Sequence, residues 1–150
     1  MNFKNLLKLI ISILICESAG VLGSFFTTPA IKTWYVFLDK PSFSPPNWVF
    51  GPAWVLLYAL MGVAIYLVWP KLSKLFAAQL IVNALWPVLF FGLKNPVLGL
   101  VDIVILWVLI LMLLFRFYRL NKASFWLFVP YFLWVSFASV LNLSIWLLNG

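Results

Sequence analysis

Five apolar runs, broken only by Glu17 in the first and Asp102 in the fourth, dominate this chain, and each is long enough to cross a lipid bilayer as a helix. They extend from about Leu9 to Phe26, Trp48 to Trp69, Leu75 to Leu93, Val97 to Phe115 and Phe125 to Leu148. Crossing the hydrocarbon core takes about 20 apolar residues in a helix. Hydrocarbon offers no hydrogen-bonding partners, so a spanning chain must pair its own backbone groups, as a helix or as a closed β-barrel. Barrel strands alternate apolar and polar residues, whereas these runs are continuous. The expected fold is therefore all-α: a single five-helix transmembrane bundle over residues 1–150, with one longer, lid-like loop at residues 27–46.

Composition excludes the main alternatives. Hydrophobic residues make up 66% of the chain and charged residues 9%, against about 25% charged in soluble proteins. The net charge of +7 would suggest nucleic acid in a soluble domain. Here the basic residues sit between apolar runs, and anionic lipid headgroups are the natural counterpart. The single cysteine, Cys16, and the absence of histidine leave no internal disulfide, zinc site or histidine-ligated haem. No metal and no obligate cofactor is expected. Lys4 and Lys8 precede the first run as in a signal peptide. No A-x-A site follows, however, and Glu17 sits where cleavage would be prepared, so the run is read as a retained helix.

Punctuation and charge give boundaries and orientation. Ser44-Pro45 and Asn95-Pro96 read as N-cap and first turn of the second and fourth helices. Pro70 ends the second, while Pro87 and Pro130 should kink the third and fifth. Seven basic residues (Lys4, Lys8, Lys71, Lys74, Arg116, Arg119, Lys122) fall on one side and three (Lys32, Lys40, Lys94) on the other. The bias predicts a cytoplasmic N-terminus in a bacterial cytoplasmic membrane.

Two carboxylates fall inside spans. Glu17 lies about 12 Å into the first helix, and Asp102 about 5 residues into the fourth. Intramembrane ionisable residues suggest proton or ion coupling; the alternative is that both sit neutral and hydrogen-bonded, with Lys94 reaching toward Asp102. No catalytic signature is present: no histidine base, G-x-S-x-G, P-loop or H-E-x-x-H. Ala19-x-x-x-Gly23 is a small-xxx-small pair that suits helix packing, within the protomer or between two.

Nine tryptophans are the main anomaly. Trp34, Trp48, Trp69, Trp126 and Trp146 lie near span ends, as interfacial belt or lid residues. Trp54, Trp86, Trp107 and Trp134 lie deeper. Helical spacing puts Asn47, Gly51, Trp54 and Tyr58 on one face, Asn83, Trp86 and Phe90 on another, and Trp134, Ala138 and Asn142 on a third. If they converge, these faces form an apolar, aromatic small-molecule pocket. The loop above it contains Trp34, Tyr35, Lys40, Pro41, Pro45 and Pro46.

The same residues resemble the TspO/MBR family of tryptophan-rich sensory and translocator proteins. The resemblance rests on Trp34-Tyr35, Lys40-Pro41-Ser42-Phe43, Pro45-Pro46, Phe50-Gly51-Pro52-Ala53-Trp54, Leu57-Tyr58, Asn83, Trp86-Pro87, Phe90-Phe91-Gly92, Val101-Asp102, Pro130-Tyr131, Trp134, Phe137-Ala138 and Leu141-Asn142. It implies a homodimer of five-helix bundles that binds porphyrins such as protoporphyrin IX and related hydrophobic tetrapyrroles. Trp54, Trp86, Trp134 and Ala138 would line the pocket. It also implies, for some members, light-dependent porphyrin degradation with the positions of Trp54 and Trp134 as catalytic candidates. The cholesterol-recognition pattern of animal members, which needs a Tyr followed by Lys or Arg, is absent from Leu141–Gly150. Three roles are therefore expected in competition: tetrapyrrole receptor or carrier, light-dependent enzyme, and secondary transporter using Glu17 and Asp102. In the first, Lys32 or Lys40 would pair with the porphyrin propionates.

Overall fold

The computed structural model describes residues 2–69, 71 and 73–150. Among the described residues there are five α-helices: α1 (Phe3–Thr33), α2 (Phe50–Val68), α3 (Ser73–Pro87), α4 (Pro96–Leu120) and α5 (Lys122–Asn149). No strand occurs among the described residues. All five spans are long and apolar enough to cross a membrane. Each helix packs mainly on two others, giving the ring order α1–α2–α5–α4–α3 and back to α1.

Several boundaries differ from those read in the sequence. Helix α1 runs to Thr33, not Phe26, so the lid begins at Trp34. Hydropathy falls at Thr27, Thr28 and Lys32, but none of these breaks a helix, and Pro29 sits inside it. Ser44-Pro45 does not cap α2. Pro46 holds its neighbour extended, and the chain enters α2 through a 3₁₀ turn over Asn47–Val49 without a side-chain cap. Asn95 does cap α4, accepting from the N–H groups of Val97 and Leu98 at 3.1 and 3.0 Å. Helix α4 continues through Arg116 and Arg119 to Leu120. Asn121 then caps α5 by accepting from the Ser124 N–H. Pro70 lies outside the described residues.

Pro87 is the last residue of α3. It is followed by a π-helical turn over Val88–Gly92, closed by the Leu93 N–H on the Val88 carbonyl at 2.8 Å. Such turns absorb an extra residue within a helix. Here the turn buries both Phe90 and Phe91.

Packing is uneven along the bundle. At the end carrying Lys4, Lys8, Arg116 and Arg119, the interior is solid, with Met61, Ile65, Leu113, Phe117 and Phe128 buried. Near the middle, α1 and α2 are pinched together. A Cβ on Gly62 would lie 2.5 Å from the Ile13 Cα, and one on Gly20 would lie 2.6 Å from the Tyr58 ring. Gly23 meets Pro87 in the same way, and Ala19 is buried beside it. The Ala19–Gly23 pair therefore serves contacts inside the protomer.

The pinch is testable. Overpacking costs about 1–3 kcal/mol, which outweighs the gain of up to about 1 kcal/mol from alanine's helix propensity. Gly62→Ala should therefore lower the thermal midpoint in detergent, followed by circular dichroism. Gly51→Ala, where a Cβ meets nothing within 4 Å, should be neutral or slightly stabilising. A Gly62→Ala protein as stable as the parent would show that α1 and α2 can separate at no cost.

Candidate functional site

From the pinch toward the first loop, α1 and α2 part, and a cavity of about 660 Å³ opens inside the ring. Volumes of about 300–1,000 Å³ are usual for small-molecule sites. The three faces expected to converge do so. Gly51, Trp54 and Tyr58 of α2, Asn83 and Trp86 of α3, Phe90 of the π turn, and Trp134, Ala138 and Asn142 of α5 all line this space.

The walls are built from aromatic contacts. Trp54 stacks on Tyr58 at 5.4 Å and meets Tyr131 and Trp134 edge-on at 6.3 and 6.5 Å. Trp86 stacks on Phe90 at 5.0 Å. These pairs sit at i, i+4 spacing on their helices, or across the α2–α5 interface, where offset and edge-on geometries are favoured. Trp107 is not part of the wall. Its indole N–H donates to Ser136 Oγ at 2.8 Å, joining α4 to α5.

Polar atoms in the wall are mostly spent on one another. The Tyr58 hydroxyl donates to Asn83 Oδ1 at 2.5 Å, and Asn83 Nδ2 donates to the Tyr131 oxygen at 2.7 Å. The Tyr131 hydroxyl in turn donates to Gln79 Oε1 at 3.0 Å. Trp86 Nε1 donates to Asn142 Oδ1 at 3.2 Å, and Asn142 Nδ2 to the Pro96 carbonyl at 2.8 Å. These bonds fix α2, α3, α4 and α5 relative to one another. Among the described residues, the indole N–H groups of Trp54 and Trp134 have no protein partner, unlike those of Trp86 and Trp107. They are two donors available to a guest.

The cavity is roofed and opens sideways. Val21 of α1 and Val55 of α2 line it while remaining 57% and 59% exposed, so the gap between these helices faces the bilayer. Above, Tyr35 is buried, and Trp34 packs edge-on against Phe90 and Phe91. Burial pushes the Tyr35 phenol up, partly offset by a hydrogen bond to Ser44. Phe43 packs on Phe137. The loop is tied to the end of α5. Asn149 Oδ1 accepts from the Asp39 N–H at 3.0 Å, and Asn149 Nδ2 donates to the Asp39 carbonyl at 2.9 Å.

The lid residues take different parts. Of the loop residues named above, only Tyr35 lines the cavity; Trp34, Lys40, Pro41, Pro45 and Pro46 do not. Lys40 is committed to the loop itself. Its Nζ donates to the carbonyls of Tyr35 and Leu38 at 2.9 and 2.8 Å and lies over the Tyr35 ring. Lys32 is the lysine at the cavity. Trp48, expected as a belt or lid residue, stands at the mouth, 74% exposed.

The wall that the sequence did not disclose is α1. Glu17, Gly20, Ser24, Thr27 and Ile31 recur at helical spacing and line the cavity. Their small, weakly polar stripe was the available signal. Glu17 is thus at the site, whereas Asp102 is buried on α4 outside the lining, its Oδ2 without a hydrogen-bond partner. Lys94 does not reach it: no ion pair involves Asp102 among the described residues, and Lys94 sits exposed in the α3–α4 turn with φ of 52°.

A family model described as the TspO/MBR family matches residues 12–147. The chain belongs to the TspO/MBR family. It is 47% identical to the tryptophan-rich protein TspO of Archaeoglobus fulgidus, over 97% of this chain and 99% of that one. It is 36% identical to the tryptophan-rich sensory protein of Cereibacter sphaeroides, over 85% of each chain. It is 34% identical to the human translocator protein, over 83% of this chain and 80% of that one. Family membership and five spanning helices make the TspO/MBR chain an integral, multi-pass membrane protein.

The lid's tether yields a prediction. Two net hydrogen bonds of about 0.5–1.5 kcal/mol each hold Asp39. Asn149→Ala should speed amide exchange across residues 34–46 by roughly tenfold while leaving the α4–α5 core unchanged. Unaltered exchange in the loop would mean that its aromatic packing alone holds it down.

Proposed function

We propose that this TspO/MBR chain is a membrane receptor or carrier that binds porphyrins, such as protoporphyrin IX, and similar flat hydrophobic molecules. The observation that carries the reading is the cavity itself: aromatic on three sides, mainly apolar, and provided with two unpaired indole donors and a lysine. Stacking on Trp54 and Trp86 suits a flat ring system. Lys32 at the rim suits its carboxylates. The sideways gap between α1 and α2 suits a guest that partitions into lipid. The protein acts as a homodimer in this proposal, with Ala19 and Gly23, packed inside the protomer, not available as its contact. The basic end is assigned to the cytoplasmic side of a bacterial membrane, from the seven-to-three distribution of Lys and Arg.

Purified protein titrated with protoporphyrin IX should show saturable tryptophan quenching. Trp54→Ala combined with Trp134→Ala should weaken it by at least tenfold, and Lys32→Gln by about tenfold or more, the scale of one charge-assisted hydrogen bond. An unsaturable curve, or one unchanged in the double variant, would sink the proposal. The contact of Trp54 with Trp134, Tyr58 and Tyr131 favours a second reading, light-dependent breakdown of the bound porphyrin. The same samples under illumination separate the two. Absorbance that decays no faster than with Trp54→Phe leaves binding alone.

A further inference from the structure

The pinch between α1 and α2 opens in both directions. Away from the cavity, at the basic end, the two helices leave a second hollow of about 260 Å³, walled by Asn5, Lys8, Tyr66, Leu67 and Trp69. Lys8 stands where the polar start of α1 gives way to its apolar run, and Tyr66 and Trp69 close α2 at the corresponding level. This is the depth at which amphipathic aromatics meet lipid headgroups.

The chemistry of the hollow is one-sided. Its polar side chains offer an ammonium, an amide, a phenol and an indole N–H, and none of these donors has a protein partner among the described residues. No carboxylate is near. The chain's three acidic residues are Glu17, Asp39 and Asp102. Glu17 lies nine residues beyond Lys8, about 13 Å along α1. Asp39 is in the lid, and Asp102 is in the lid-side half of α4. Seven basic residues at this end therefore have no internal counter-charge, and the negative partner must come from outside. Apolar surface continues into the bilayer beside the hollow, at Leu67 and, one turn deeper on α1, at Ile11, which are 40% and 45% exposed.

We propose that this hollow binds the phosphodiester of an anionic glycerophospholipid. Lys8 pairs with the phosphate, Asn5, Tyr66 and Trp69 donate to phosphate and glycerol-ester oxygens, and the acyl chains lie over Leu67 and Ile11. A bare phosphate ion would meet the same donors but would leave the adjoining apolar surface unused.

Native mass spectrometry of the full chain in detergent, titrated with phosphatidylglycerol, phosphatidylcholine or inorganic phosphate, tests this. One lysine near a membrane surface contributes about 1 kcal/mol. Phosphatidylglycerol should therefore be retained about fivefold over phosphatidylcholine, and Lys8→Gln should erase that preference. Tyr66→Phe combined with Trp69→Phe should weaken both lipids and keep the preference. Arg119→Gln removes an exposed charge from the same end on α4 and should leave the preference intact. Preference that survives Lys8→Gln overturns the proposal. So does an equal loss in Arg119→Gln, which would indicate a diffuse field, and so does displacement of the lipid by millimolar phosphate.

Discussion

Helix α1 lies so close to α2 that a single added carbon on Gly62 would strike the Ile13 backbone. In a bilayer no hydrophobic force drives such an approach, because lipid tails are as apolar as leucine. Close van der Waals packing over small residues must supply it. The contact fixes where the two helices touch, and hence where they part. Toward the lid they separate around an apolar chamber, and toward the basic end around a hollow of hydrogen-bond donors. The other three helices close the ring and fill its basic half with packed side chains.

A chamber in a membrane protein needs rigid walls, and here buried polar residues brace them. Tyr58, Asn83, Tyr131 and Gln79 pass hydrogen bonds from α2 to α3 to α5 and back to α3. Measured interhelical bonds in membranes average only about 0.6 kcal/mol, so the chain's value lies less in stability than in registration. It sets the rotation of three helices, and therefore the direction in which Trp54, Trp86 and Trp134 face. Asn142 does the same for α3, α4 and α5 through Trp86 and the Pro96 carbonyl.

Much of this was legible in the sequence. Spans two to five stand out because they carry almost no charge, and a period of 3.6 residues was enough to place Trp54 with Tyr58 and Trp134 with Ala138. The helix ends were less legible. Hydropathy reports where the bilayer stops, whereas α1 ends only where its hydrogen bonds do, at Thr33. The α1 wall was missed because Gly20, Ser24 and Thr27 look like packing or surface residues until a partner helix is in place. The inward turn of Lys40 and the Asp39–Asn149 tether depend on the path of the loop in space. The tether joins residues 110 positions apart, and no local pattern encodes it.

Because Tyr58, Asn83, Trp86 and Asn142 already satisfy one another, the chamber makes few polar demands. An oily guest breaks none of these hydrogen bonds on entering. A guest rich in polar atoms gives up its hydration and finds few partners in exchange: two indole N–H groups, the rim lysine, and Glu17, Thr28 and Asn47 on the lining. Solvation in the chamber therefore favours a lipophilic guest over a strongly polar one before the outline of either matters.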